Sequence, residues 1–209
     1  MNGKVRRFYE ELAAMSGLHL DPEGGALYGT YKGYGVAVLA PNPSYPYQMC
    51  AVFSASRPDG PLTKEECKQF LKEHKAAADL SQNGWQITMI IRGGMGQKHL
   101  RENFVQSLED TTAYLRGAGF TDCCQSCGKV TETDPCCVAG AYEHLCPDCY
   151  AALQQSRNQE SMRQAGKGEN ITGGLVGALL GSLVGVVSII IFSQLGYVAA
   201  LSGVIMAVC

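Results

Sequence analysis

Four cysteines fall into two pairs, Cys124-x2-Cys127 and Cys146-x2-Cys149, with 18 residues between the pairs. This spacing lies within the window of a structural four-cysteine zinc site. Two residues between cysteines let a tight turn aim both sulfurs at one point, and two such turns complete the tetrahedral thiolate shell that zinc accepts. Gly128 relieves crowding where the first turn closes, and Pro147 fixes the second. Cys124, Cys127, Cys146 and Cys149 are therefore the expected metal ligands, with zinc as the ion.

A redox dithiol is the competing chemistry, since a C-x-x-C pair can lower a thiol pKa. Such a pair normally opens a helix in a thioredoxin-like βαβ context, whereas these two pairs flank a turn-rich segment. Cys123, Cys136, Cys137 and His144 fit no second ligand spacing and read as packing residues and spare thiols. Cys50 and Cys67 read as small core hydrophobes. Arg92-Gly93-Gly94-Met95-Gly96-Gln97 could cradle a phosphate at a helix start. It lacks both the Walker ending and the G-x-G-x-x-G spacing, so a plain strand–helix turn is expected. Tyr28, Tyr31, Tyr34, Tyr45 and Tyr47 read as sheet packing, with a ligand groove as the alternative. No nucleophile–base–acid constellation is visible, so no catalytic residue is assigned.

The elements that must position these cysteines follow from periodicity. Val5, Phe8, Leu12 and Met15 predict an amphipathic helix over 4–16. Strands are expected at Ala26–Tyr31, at Tyr34–Ala40 after the tight turn Lys32-Gly33, and near Gln48–Ser54 after a Pro-rich loop. Thr63 as N-cap, with Glu66 three residues on, predicts a helix over about 63–78. Trp85, Ile87, Met89 and Ile91 alternate as a strand. Leu100, Phe104, Leu108 and Leu115 mark a helix over 98–117 that stops at Gly117. Helix, three strands, helix, strand and helix imply a small two-layer α+β domain with helices on one sheet face.

Charge divides the chain more sharply than the periodicity does. Residues 1–122 carry 13 Lys and Arg against 13 Asp and Glu, residues 123–170 carry 4 against 6, and residues 171–209 carry none. The uncharged run Ile171 to Phe192 has 22 residues. At about 1.5 Å per residue it spans roughly 33 Å as a helix, enough to cross a bilayer. Ser193-Gln194 break the run. Leu195 to Cys209 then adds 15 apolar residues: a partial second span, a re-entrant piece, or the start of a longer membrane domain.

The organisation expected is thus an α+β domain over 1–120, a zinc ribbon over 121–150, a polar linker over 151–170 that begins as a short helix, and a membrane segment over 171–209. Arg157, Arg163 and Lys167 precede the span, and no cation follows it. The positive-inside rule then places residues 1–170 in the cytosol and the chain at the cell membrane. Ten cysteines without a secretory leader agree with a reducing compartment. Gly173, Gly177, Gly181 and Gly185 form a stripe that lets another helix approach, favouring self-association or packing on further spans.

Lys129 is the sole Lys or Arg within 123–150, against Glu132, Asp134, Glu143 and Asp148. Nucleic-acid binding is therefore not expected, because phosphate contacts need several cations. With the cysteine pairs and Glu169-Asn170-Ile171-Thr172-Gly173-Gly174 at the entry to the span, the chain resembles a group of uncharacterised bacterial membrane proteins. In these a zinc ribbon precedes a Gly-rich multi-span segment. The resemblance covers about 121–209 and implies further spans after Cys209, with no particular activity.

The function expected is a non-enzymatic, membrane-anchored adaptor or sensor that mediates contact with a protein partner. The regulatory part of a transporter or channel is the first alternative, and a redox or other enzyme the second.

Overall fold

The computed structural model describes residues 3–166, apart from Pro22, Gly24, Pro43, Gly94 and Met95, with side chains described as far as Arg163. The apolar segment over 171–209 and its glycine stripe lie outside the described residues. Among the described residues, no helix is long and apolar enough to cross a membrane.

The fold is α+β. In chain order its elements are α1 (Gly3–Ser16), β1 (His19–Leu20), β2 (Leu27–Tyr31), β3 (Tyr34–Leu39), β4 (Cys50–Ser56), α2 (Lys64–Glu73), β5 (Ala77–Asn83), β6 (Gln86–Ile91) and α3 (Gln97–Gly117). Then follow β7 (Thr121–Asp122), β8 (Asp134–Val138), β9 (Ala141–Leu145) and α4 (Pro147–Gly166). The main sheet runs β1-β2-β3-β4-β6-β5, with β7 added beside β4, and every pairing is antiparallel. β8 and β9 form a separate hairpin.

Alternation decides which face is buried against the helices. Val36, Phe53 and Ile87 stand in one cross-strand row, and Val38, Ala51 and Met89 in the next. They share one core with Phe8 and Leu12 of α1, Phe70 of α2, and Leu100, Phe104, Leu108 and Leu115 of α3. All three helices therefore cover the same face. α2 starts as its sequence dictates: the Thr63 hydroxyl accepts from the Glu66 N–H, and the Glu66 carboxylate accepts from the Thr63 N–H.

Two-residue loops set the hairpin registers. Lys32-Gly33 joins β2 to β3 and Ala139-Gly140 joins β8 to β9, all four with positive φ. That is the twist-matched geometry of a short hairpin turn. Gly84-Trp85 joins β5 to β6.

Three expectations need correction. The helix expected to reach residue 78 ends at Glu73, and residues 77–83 form the edge strand β5. The Ala76-Ala77-Ala78 run favours helix by propensity, but pairing along β6 prevails and buries Ala77 and Leu80. Trp85 sits in the β5–β6 turn, one step outside β6. The linker helix is not short: α4 begins inside the second cysteine pair and continues to Gly166.

The second face of the sheet is covered as well. β3 is buried along almost its whole length, on both faces. The cover there is the cysteine-bearing segment, which shares one compact unit, Met1–Gln155, with the sheet.

Candidate metal centre

The first cysteine pair lies in the turn after β7. The Gly128 N–H donates to the Cys124 carbonyl at 2.8 Å, and the Cys124 N–H donates to the Lys129 carbonyl at 2.9 Å. Gly128 has φ of 73°, a left-handed conformation that glycine adopts without a steric cost. The second pair straddles a helix start: Cys146 follows β9 directly, and Cys149 lies in the first turn of α4. Pro147 takes the first helical position, where its missing N–H costs nothing.

Gln125 locks the two pairs together. Its backbone N–H donates to the His144 carbonyl, and its side-chain carbonyl accepts from the His144 N–H, both at 2.9 Å. The result is convergence of four sulfurs. The Sγ atoms of Cys124, Cys127, Cys146 and Cys149 all lie within 4.8 Å of one another. Cys127 Sγ and Cys146 Sγ are 3.9 Å apart. Metal–sulfur bonds of about 2.3 Å in a tetrahedron place sulfurs about 3.8 Å apart. The Cys146 N–H also donates to Cys124 Sγ at 3.3 Å. Cys124 and Cys146 are buried, Cys149 is half-buried and Cys127 is exposed. The residues thus fit a thiophilic metal ion held on one side by protein and open at one rim.

The Cys124 thiol is also poised for it. Burial alone would raise the Cys124 pKa, but the backbone N–H groups of Cys146, Cys127 and Ser126 hold it down to about 7. Ser126 favours the Cys149 thiolate, yet hydrogen bonds with the Cys146 and Cys127 sulfurs push its pKa up to about 12. Of these two thiols, Cys124 is therefore the more readily deprotonated, and metal binding at such a site would release protons.

The other candidates fall elsewhere. Among the described residues, the four cysteines are the one group able to hold a metal ion. Cys123 is buried, and burial pushes its thiol up to about 11. Cys136 packs beneath the centre with Leu145, and Cys137 is exposed. Cys50 is buried and Cys67 packs against the main core, as expected. The Gly-rich turn leads into α3 at Gly96, with no side-chain cap. Beside it lies a cleft lined by Lys4, Arg7, Phe8, Glu11, Gln97 and Arg101, in which Arg101 pairs with Glu11 and stacks on Phe8.

Sequence reasoning missed how the ribbon docks on the sheet, where three contacts hold it. A Cβ on Gly35 of β3 would lie 2.5 Å from His144 Nδ1, so the imidazole rests directly on the strand backbone. His144 is fully buried, and neither ring nitrogen makes a hydrogen bond of ordinary geometry. Burial holds its pKa down, partly offset by Asp122. Tyr142 of β9 stacks on Tyr28 of β2, with centroids 4.0 Å apart and planes at 3°. A Cβ on Gly128 would lie 2.6 Å from Cζ2 of the Trp85 indole. Asp122 adds a link at the ribbon's root, accepting from the Gly35 N–H at 2.7 Å.

Tyr28 and Tyr34 are therefore packing residues, while Tyr45 is exposed. The sequence signal available for the docking was a glycine inside a strand, Gly35, which marks close approach of another group.

Comparison of the chain with family models, curated proteins and solved structures finds no match.

Proposed function

We propose that the chain is a membrane-anchored zinc-ribbon protein of the cell membrane, acting as an adaptor or sensor for a protein partner and not as an enzyme. The observation that carries this reading is the convergence of four thiols within 4.8 Å, in a ribbon clamped to a folded domain. An all-sulfur donor set suits zinc, which has no redox chemistry and takes a closed shell of four thiolates in structural sites. With all four positions filled by protein, such an ion has no open coordination position for a substrate.

Residues 171–209, free of charged side chains, supply the anchor, and Gly173, Gly177, Gly181 and Gly185 supply the face for self-association or for other membrane helices. The cations Arg157, Arg163 and Lys167 ahead of the run favour a cytosolic placement of residues 1–170. The acidic balance of the ribbon disfavours nucleic acid as partner.

Membrane fractionation tests the anchoring. The full chain is expected to pellet with membranes and to resist an alkaline carbonate wash. A chain that stays in solution without detergent contradicts the anchor. A thermal-shift screen of the full chain in detergent against peptides and metabolites tests the adaptor role. Stabilisation by a peptide supports it, and turnover of a metabolite moves the protein to the enzyme class.

A further inference from the structure

We propose that the ribbon is a metal-dependent cover on the sheet: it docks on β2 and β3 when the four cysteines hold a metal ion, and lifts when they do not. This inference rests on the four-cysteine metal reading and adds the regulation of that site.

The ribbon cannot hold its own shape without the ion. Its buried interior consists of Cys124, Cys136, Leu145 and Cys146, with Val138, Cys149 and Leu153 packed around them. Four of those seven side chains are themselves thiols, so little apolar interior is left beyond the metal shell. Domains this small fold with their metal and open without it.

Each docking contact sits close to a ligand. Gly128 follows Cys127 directly. His144 stands two residues before Cys146 and is fixed at its backbone by Gln125, the neighbour of Cys124. Tyr142 lies on the hairpin strand that leads into Cys146. Its hydroxyl meets Asp21, and burial first, then Asp21 and Tyr28, push its pKa up to about 12. Metal that orders these residues therefore orders the docking surface.

The sheet does not share this dependence. Its core is built from α1, α2, α3 and the helix-facing rows of the strands, ends at Phe120, and includes no residue of the ribbon. When the ribbon lifts, the domain persists, and Tyr28, Gly35 and Ala37 become accessible on its second face. Coupling of this kind is reciprocal: if metal favours docking, docking must favour metal by the same factor.

The chain contains a single tryptophan, Trp85, and its indole lies against Gly128 in the first metal turn. It is a built-in reporter. The experiment is a zinc titration of the full chain in detergent under reducing conditions, after chelator treatment, with Trp85 emission and zinc affinity both recorded. The emission is expected to shift with zinc and to saturate at one ion per chain.

Tyr28→Ala removes half of the aromatic stack from the sheet side, without altering the ribbon. It is expected to weaken zinc affinity roughly fivefold. Val130→Ala, at an exposed ribbon position, is expected to leave affinity unchanged. Zinc that binds without moving the Trp85 emission, or a Tyr28→Ala chain that binds zinc as tightly as the unaltered one, overturns the coupling while leaving the four-cysteine site standing. A chain that takes up no zinc overturns the site itself, and the coupling with it.

Discussion

The Tyr34 hydroxyl donates to the Phe120 carbonyl at 2.8 Å, tying the start of β3 to the segment that leaves α3. From there the chain runs through β7 into Asp122 and Cys124. The Arg57 guanidinium lies over the Phe120 ring at 4.6 Å and closes the same junction. The cysteine turns thus hang from a point fixed by both a buried hydrogen bond and a stacked cation.

Tyr34→Phe removes that donor while keeping the ring, and leaves a buried carbonyl without its partner. A loss of about 1 kcal/mol in unfolding free energy is expected. Denaturant unfolding checks it, and an unchanged midpoint contradicts the role given to the bond.

Arg57 and Glu66 form a second clamp. Arg57 Nη1 and Nη2 reach the two Glu66 oxygens at 2.7 and 2.8 Å, and Arg57 also donates to the carbonyls of Gly60 and Pro61. The Arg57 hydrogen bonds first, then the Thr63 backbone N–H, hold the Glu66 carboxyl down to about 2 from its ordinary 4.5. A depressed carboxyl stabilises the fold above its unfolded pKa, and that contribution is lost as pH falls through the folded value. Glu66→Gln should therefore cost about 1–2 kcal/mol near neutral pH. The gap between variant and unaltered chain should close as pH falls from about 4.5 toward 2. A gap that is constant through that window contradicts the ionic part of the clamp.

Gly35→Ala places a methyl group where the His144 ring lies. The strand is paired on both sides, to β2 and to β4, and cannot shift easily. Overpacking of this kind is expected to cost about 1–3 kcal/mol. Thermal unfolding measures the loss, and a variant as stable as the unaltered chain shows that the imidazole moves aside freely.

How much of this was legible in the sequence depended on range. The Thr63–Glu66 cap, the Lys32-Gly33 turn and the two cysteine pairs were readable because all their partners lie within a few residues, or follow a spacing rule. Residues 77–83 misled because their alanines speak for helix, while the pairing that makes them a strand comes from β6. Gly84, at the first position of the two-residue turn and with positive φ, was the local hint. Gly35 and Gly128 looked like ordinary strand and turn glycines. Their meaning lies in His144 and Trp85, residues distant in sequence, and no periodicity encodes that pairing. The second face of β3 followed the same logic: its unbroken burial records the ribbon above it.

The convergence of four sulfurs is the claim on which the rest depends, and X-ray absorption at the zinc edge of the purified, reduced full chain tests it most directly. The account predicts a single shell of four sulfurs at about 2.3 Å. A shell containing nitrogen or oxygen ligands, or protein that carries no zinc after growth in zinc-replete medium, contradicts it.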